Sequence, residues 1–184
     1  IEYPVEVSPL ALATSYATMA NHGVYCKPHA ITRIVDEQSS EKKVVSKVDP
    51  QCRAAVSREV ADSVTAILTH VVDGGIPGRT GAAMSLGRDA TGKTGTTDDR
   101  TDAWFLGATA QLATAVWFGY RPSAVAGAGF GGESAAPILL SSESSALRRA
   151  SCPSRARYAV PPAVSRAWRE ARSRASREMG ATWT

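Results

Sequence analysis

In this 184-residue chain, one cation followed by alternating hydroxyls, Lys93-Thr94-Gly95-Thr96-Thr97, forms a group able to hold an anion. On an extended strand, side chains at alternate positions share a face, so the hydroxyls of Thr94 and Thr96 point the same way and can donate to a carboxylate. Lys93 sets a positive potential beside them, and Gly95 lets a backbone approach closely. The same lysine also closes the run Gly87-Arg88-Asp89-Ala90-Thr91-Gly92-Lys93-Thr94, which satisfies the phosphate-loop pattern letter for letter. That loop needs a buried strand entering it and a helix leaving it, because the helix N-terminus and successive backbone N–H groups hold the phosphates. Here Ala82-Ala83-Met84-Ser85-Leu86 is a weak strand, and Gly95 to Asp102 is β-branched and turn-forming. Nucleotide binding through Gly87 to Thr94 is therefore the weaker reading, and an extended strand bearing Lys93 the stronger one.

The elements that would position such a strand are legible around it. Ala103 to Thr109 and Leu112 to Tyr120 are two apolar runs joined by Ala110-Gln111. Both alternating sets of the second run are apolar, which predicts a sheet covered on both faces by helices. Upstream, Ser8-Pro9 reads as an N-cap and first helical position. Leu10, Ala13, Ala17 and Ala20 extend one small apolar face to a stop at Asn21-His22-Gly23. Alternation over residues 31–35, a polar stretch from Asp36 to Glu41, and Lys42-Lys43-Val44-Val45 predict a hairpin. A second helix begins near Ser57, with Val60, Val64, Ile67, Leu68 and Val71 at helical spacing and Gly74-Gly75 at its end. Gly74 to Gly92 and Gly127 to Gly132 read as loops, the latter without a chemical motif.

Composition bounds the function. With 43% apolar and 21% charged residues the chain has the balance of a globular protein, and no apolar run approaches the ~18 residues of a membrane span. The formal charge of +4 belongs to one end: residues 141–184 hold nine Arg, no Lys and three Glu, leaving −2 for residues 1–140. No nucleic-acid partner is expected of the body. Cys26, Cys52 and Cys152 are odd in number and lack CxxC spacing, which leaves at least one thiol unpaired within the chain and reads as small, half-buried residues. His22, His29 and His70 form no ligand pair, so no metal or cofactor is implied. Asp98, Asp99 and Asp102 read as a turn, with Asp102 bonding backbone groups at the start of the next strand. Trp104 and Trp117 read as core.

The strand Lys93-Thr94-Gly95, followed by an acidic turn and Asp102-Ala103-Trp104-Phe105, resembles the KTG strand of penicillin-binding protein transpeptidases. The whole run from Gly92 to Tyr120 is similar to that of the bifunctional class A enzymes. Ser8-Pro9-Leu10 through Gly23-Val24-Tyr25, the helix from Ser57 to Gly75, and Ala135-Ala136-Pro137-Ile138 match in order and spacing. The resemblance covers residues 5–140. It implies an α+β, β-lactamase-like fold with a mainly antiparallel sheet and helices on both faces, here without its N-terminal part. It also implies that Lys93, Thr94, Gly95 and Thr96 bind the substrate carboxylate, and that Lys93 and the backbone N–H of Thr96 serve catalysis, the latter in the oxyanion hole. The implied partners are a peptidoglycan stem peptide and β-lactam antibiotics.

The family's nucleophile lies in S-x-x-K on a buried helix, with S-x-N further on. Ser39 with Lys42 and Ser40 with Lys43 match the first pattern by chance, in the predicted hairpin turn. Asn21 is the only Asn and position 19 is Met, so S-x-N is absent. The chain begins at Ile1 with no leader or anchor, so the expectation is a C-terminal portion, residues 1–140, of a longer extracytoplasmic transpeptidase whose membrane anchor lies upstream. Residues 141–184 are expected to be an Arg- and Ser-rich tail, poorly ordered or altered by a shifted reading frame. The alternative is a non-catalytic binding or assembly domain derived from the same fold.

Overall fold

A computed structural model describes residues 7–38, 43–73, 77–84, 87–98, 100–119 and 129–139. The predicted tail at 141–184, the Gly74-Gly75 stop, Asp99 and both chance S-x-x-K serines lie outside the described residues. The first element, α1 (Pro9–Ala20), starts as the sequence predicts, with the Ser8 side chain accepting the Ala11 N–H at 3.2 Å. It stops at His22 and Gly23, which take φ of 54° and 84°. A Cβ on Gly23 would meet the Val56 carbonyl oxygen at 2.2 Å, so the chain can turn there only without a side chain. The Gly23 carbonyl then accepts the N–H groups of Ala55 and Val56, which ties the end of α1 to the approach of the second helix.

Between these helices the chain makes two nested antiparallel ribbons. β1 (Val24–Cys26) pairs with β4 (Cys52–Ala54), and inside that pair β2 (Arg33–Val35) and β3 (Val44–Lys47) form the predicted hairpin. The outer register places Cys26 opposite Cys52, and the two are joined in a disulfide. This corrects the reading of the cysteines as small half-buried residues. A pair of cysteines flanking a predicted hairpin was the available signal, since nested strands bring such positions face to face.

The second helix, α2 (Arg58–Asp73), has the predicted limits but turns a different face inward. Val60 and Ile67, on the apolar stripe, are 52% and 54% exposed, whereas Ala61, Thr65, Ala66, Thr69 and Val72 are buried. In α1, likewise, Leu10 is exposed and Thr18 buried. The physical reason is the same in both helices. A threonine can bond the carbonyl one turn back, as Thr18 does to Thr14, Thr65 to Ala61 and Thr69 to Thr65, at 2.8, 2.8 and 3.0 Å. Its hydroxyl is then satisfied inside the helix and its small body can pack. His22 Nδ1 lies 2.6 Å from Asp62 Oδ1 and links the end of α1 to α2, a pairing that the sequence does not signal.

The main sheet is antiparallel in the order β5 (Thr91–Thr96), β6 (Asp102–Ala108), β7 (Ala113–Gly119). One face packs Phe105 against Val72, Met84, Ala90, Ala135, Ala136 and Leu139. Met84 comes from a short 3-10 turn (Ala82–Met84) within the predicted loop region. Cover on both faces is incomplete at the end of β7, where the neighbours Trp117 and Phe118 point to opposite sides and are 38% and 42% exposed among the described residues. Burial also pushes the Tyr16 phenol in α1 up to about 12.

Opening the Cys26–Cys52 bond, which closes a sequence separation of 26 residues, should cost about 3 kcal/mol of stability. Urea denaturation of Cys52→Ser, and of the reduced wild type, should show the same loss. Unchanged midpoints would mean that the bond does not restrain the ribbon.

Candidate functional site

The strand carrying Lys93 is positioned by the turn that follows it. Thr97 Oγ1 accepts the backbone N–H groups of Thr101 at 3.1 Å and Asp102 at 3.0 Å, and the Thr97 N–H donates to the Asp102 carbonyl at 3.1 Å. Arg100, at φ 57°, makes the bend. These bonds set the register of β5 on β6, in which Thr96 faces Ala103, Thr94 faces Phe105 and Gly92 faces Gly107. Asp102 does not bond the backbone as expected; its carboxylate accepts the Trp117 indole N–H at 2.7 Å and the Thr101 hydroxyl at 3.1 Å. The backbone role expected of Asp102 belongs to Thr97. Trp117 also packs beside Trp104, with ring centroids 6.3 Å apart.

Antiparallel pairs alternate between those that exchange backbone hydrogen bonds and those that do not. Since Thr97 bonds its partner Asp102, the bonded pairs continue at Gly95 and Lys93, and the N–H and C=O groups of Thr96, Thr94 and Gly92 point away from β6. Among the described residues β5 has no other neighbour in its sheet, so the groups of Thr94 and Thr96 line an open edge, while Gly92 is buried. Lys93 bends to that edge: its exposed side chain places Nζ 2.7 Å from the outward carbonyl of Thr94. A cation, an outward Thr96 N–H and the Thr96 hydroxyl thus lie along one short strand.

Thr94 and Thr96 share a side of the strand as expected, but their hydroxyls are not equivalent. Thr94 Oγ1 donates to Thr80 Oγ1 at 3.1 Å, which commits its proton. Thr96 Oγ1 accepts the Gly131 N–H at 3.2 Å and keeps its own proton free to donate. The segment at 129–134 therefore belongs to the site, although its glycines carry no motif. A Cβ on Gly131 would meet the carbonyl oxygens of Trp104 at 2.2 Å and Gly95 at 2.7 Å, so only glycine fits against the sheet there. Arg100 stacks over Phe130, 4.6 Å from the ring centroid, and holds the same segment from the turn. Thr80, Arg100 and Gly131 are the contributors that residue patterns alone did not reveal. The phosphate-loop reading fails on topology, because Gly87 to Thr94 runs into a strand and hairpin, with no helix leaving it.

The arrangement is an edge strand with a cation and outward N–H groups, backed by helices, on an α+β scaffold. The sequence profile described as the penicillin binding protein transpeptidase domain matches residues 2–141, and the chain belongs to that family. It is similar to penicillin-binding protein 1A of Aquifex aeolicus, 40% identical over 116 residues that make up 63% of this chain and 15% of the relative. Among solved structures it resembles the penicillin-binding protein PonA1 of Mycobacterium tuberculosis, with 28% identity, a TM-score of 0.62, and coverage of 76% of this chain and 38% of that one. It also resembles penicillin-binding protein 3 of the same organism complexed with ampicillin, with 25% identity, a TM-score of 0.57, and coverage of 80% and 36%. The chain spans well under two thirds of the length of each of these proteins.

Gly131→Ala should push the 129–134 segment off β5 and free the Thr96 hydroxyl from its backbone donor. We expect a loss of about 2–4 kcal/mol in urea denaturation, together with shifted amide resonances at positions 94–96. A variant as stable as wild type would show that the contact is not tight.

Proposed function

We propose that the open edge of β5 is the carboxylate and oxyanion edge of a peptidoglycan D,D-transpeptidase whose nucleophile comes from sequence outside these 184 residues. The observation that carries the reading is the outward Thr96 N–H beside Lys93 on an unpaired strand edge. In this reading the terminal carboxylate of a D-Ala-D-Ala stem peptide lies against the Lys93 ammonium and takes the free proton of the Thr96 hydroxyl as a hydrogen bond. Thr94 supports it through Thr80, and Gly95 allows the close approach. A serine Oγ attacks the penultimate carbonyl carbon, and the negative charge moves to the carbonyl oxygen, where the Thr96 N–H meets it. The C–N bond then breaks as the proton lost by the serine passes to the departing nitrogen, D-Ala leaves with its free amine, and an amine of a neighbouring strand displaces the serine from the acyl ester, its proton returning to the serine oxygen. A β-lactam carries a comparable carboxylate and reactive carbonyl, and the ampicillin complex of the related penicillin-binding protein 3 supports its inclusion as a ligand.

The Cys26–Cys52 disulfide supports a place for the protein on the extracytoplasmic side of the membrane, since such bonds persist in oxidising compartments. That the family profile ends at residue 141 supports reading residues 141–184 as a separate tail.

Fluorescent penicillin should leave this chain unlabelled on its own. It should label a polypeptide extended by the S-x-x-K and S-x-N part of the domain. In that polypeptide, Thr96→Pro deletes the outward N–H, which makes no ladder bond, together with the hydroxyl, and Thr96→Val, which deletes the hydroxyl alone, is its control. Acylation of Thr96→Pro should fall about 10²-fold below that control. Labelling of the 184-residue chain alone, or full-rate acylation of Thr96→Pro, would refute the assignment.

A further inference from the structure

Away from β5, a groove of about 450 Å³ runs between α1 and the β1–β4 ribbon. Its wall is mostly apolar, formed by Leu10, Met19, Pro28 and Ala55 with the ring of Tyr25. Of the four serine and threonine hydroxyls that line it, three donate within α1 and only the Ser8 proton stays free. Ser8 accepts the Ala11 N–H at 3.2 Å, and Thr14, Ser15 and Thr18 donate to the carbonyls of Leu10, Leu12 and Thr14 at 2.7, 2.8 and 2.8 Å. To a ligand the helix wall therefore presents methyl and methylene groups.

Among the described residues Arg53 is the only charged side chain lining the groove. It stands directly opposite Tyr25 in the β1–β4 register, and its guanidinium lies over the Tyr25 ring, 5.2 Å from the centroid. Among the described residues no carboxylate pairs with it. The adjoining register pair is Cys26–Cys52, whose disulfide ties together the two strands that carry Tyr25 and Arg53. A volume of this size, apolar walls and one oriented, uncompensated fork of N–H donors are the features of a small-molecule site.

We propose that this groove is a second binding site, separate from the β5 edge, for a small amphiphilic carboxylate. The apolar body lies along α1 and the carboxylate takes two N–H bonds from Arg53.

Isothermal titration of the full chain with 2-naphthoate and with its neutral counterpart 2-naphthylmethanol tests this. The naphthoate should bind about tenfold more tightly. Arg53→Gln, a change at an exposed side chain, should remove that advantage and leave the alcohol's affinity unchanged. Ala11→Trp should fill the groove and block both probes. Lys93→Ala should leave naphthoate binding as it is. Equal affinity for the two probes in the wild type, an advantage that survives Arg53→Gln, or loss of naphthoate binding in Lys93→Ala would each overturn the proposal. Binding of neither probe would overturn it too, since the groove would then be closed or filled by another part of the polypeptide.

Discussion

Thr97 Oγ1 gathers two backbone N–H groups, those of Thr101 and Asp102, and through them fixes the alignment of β5 on β6. Everything proposed for the site depends on that alignment. A slip of one residue would send the Thr96 N–H into the ladder and turn the Lys93 side chain to the opposite face. The Phe105 core and the 129–134 segment packed against the sheet are consistent with a single register. Phe105 fills the space beside Gly92, where a Cβ would meet its ring at 2.7 Å, and Gly131 fits only where Thr96 presents its hydroxyl.

Much of this could be read from the residues. Ser8-Pro9 marks the start of α1, the two apolar runs become β6 and β7, and the hairpin at residues 33–47 appears where alternation and a polar turn place it. The order Lys93-Thr94-Gly95-Thr96 on a strand was equally legible, because alternation is a local property. Which helix face packs was not legible. Val60 and Ile67 carry the apolar period of α2, yet Thr65 and Thr69 are buried because each bonds a carbonyl within the helix. A hydrophobicity pattern scores threonine as polar wherever its proton goes. The roles of Thr80, Arg100 and Gly131 also escaped, since each depends on segments distant in sequence meeting at the strand edge.

The two features proposed to bind anions stand apart in the chain. At β5 the cation is a flexible lysine whose ammonium rests on a backbone carbonyl, next to a fixed N–H. At the β1–β4 ribbon it is a planar guanidinium stacked on a tyrosine, on strands tied together by a disulfide. The first suits a charge that develops and moves during reaction; the second suits a carboxylate held in one orientation. The excess positive charge of the whole sequence is carried by residues 141–184, outside the described residues.

The alignment itself is the central claim, and amide hydrogen exchange across β5, followed by NMR, tests it most directly. Alternation is expected: slow exchange at Lys93, Gly95 and Thr97, whose N–H groups bond to β6, and fast exchange at Thr94 and Thr96, whose N–H groups face the open edge. The inverse alternation, or uniform protection from residue 92 to 97, would contradict it, because the Thr96 N–H would then be unavailable to an oxyanion.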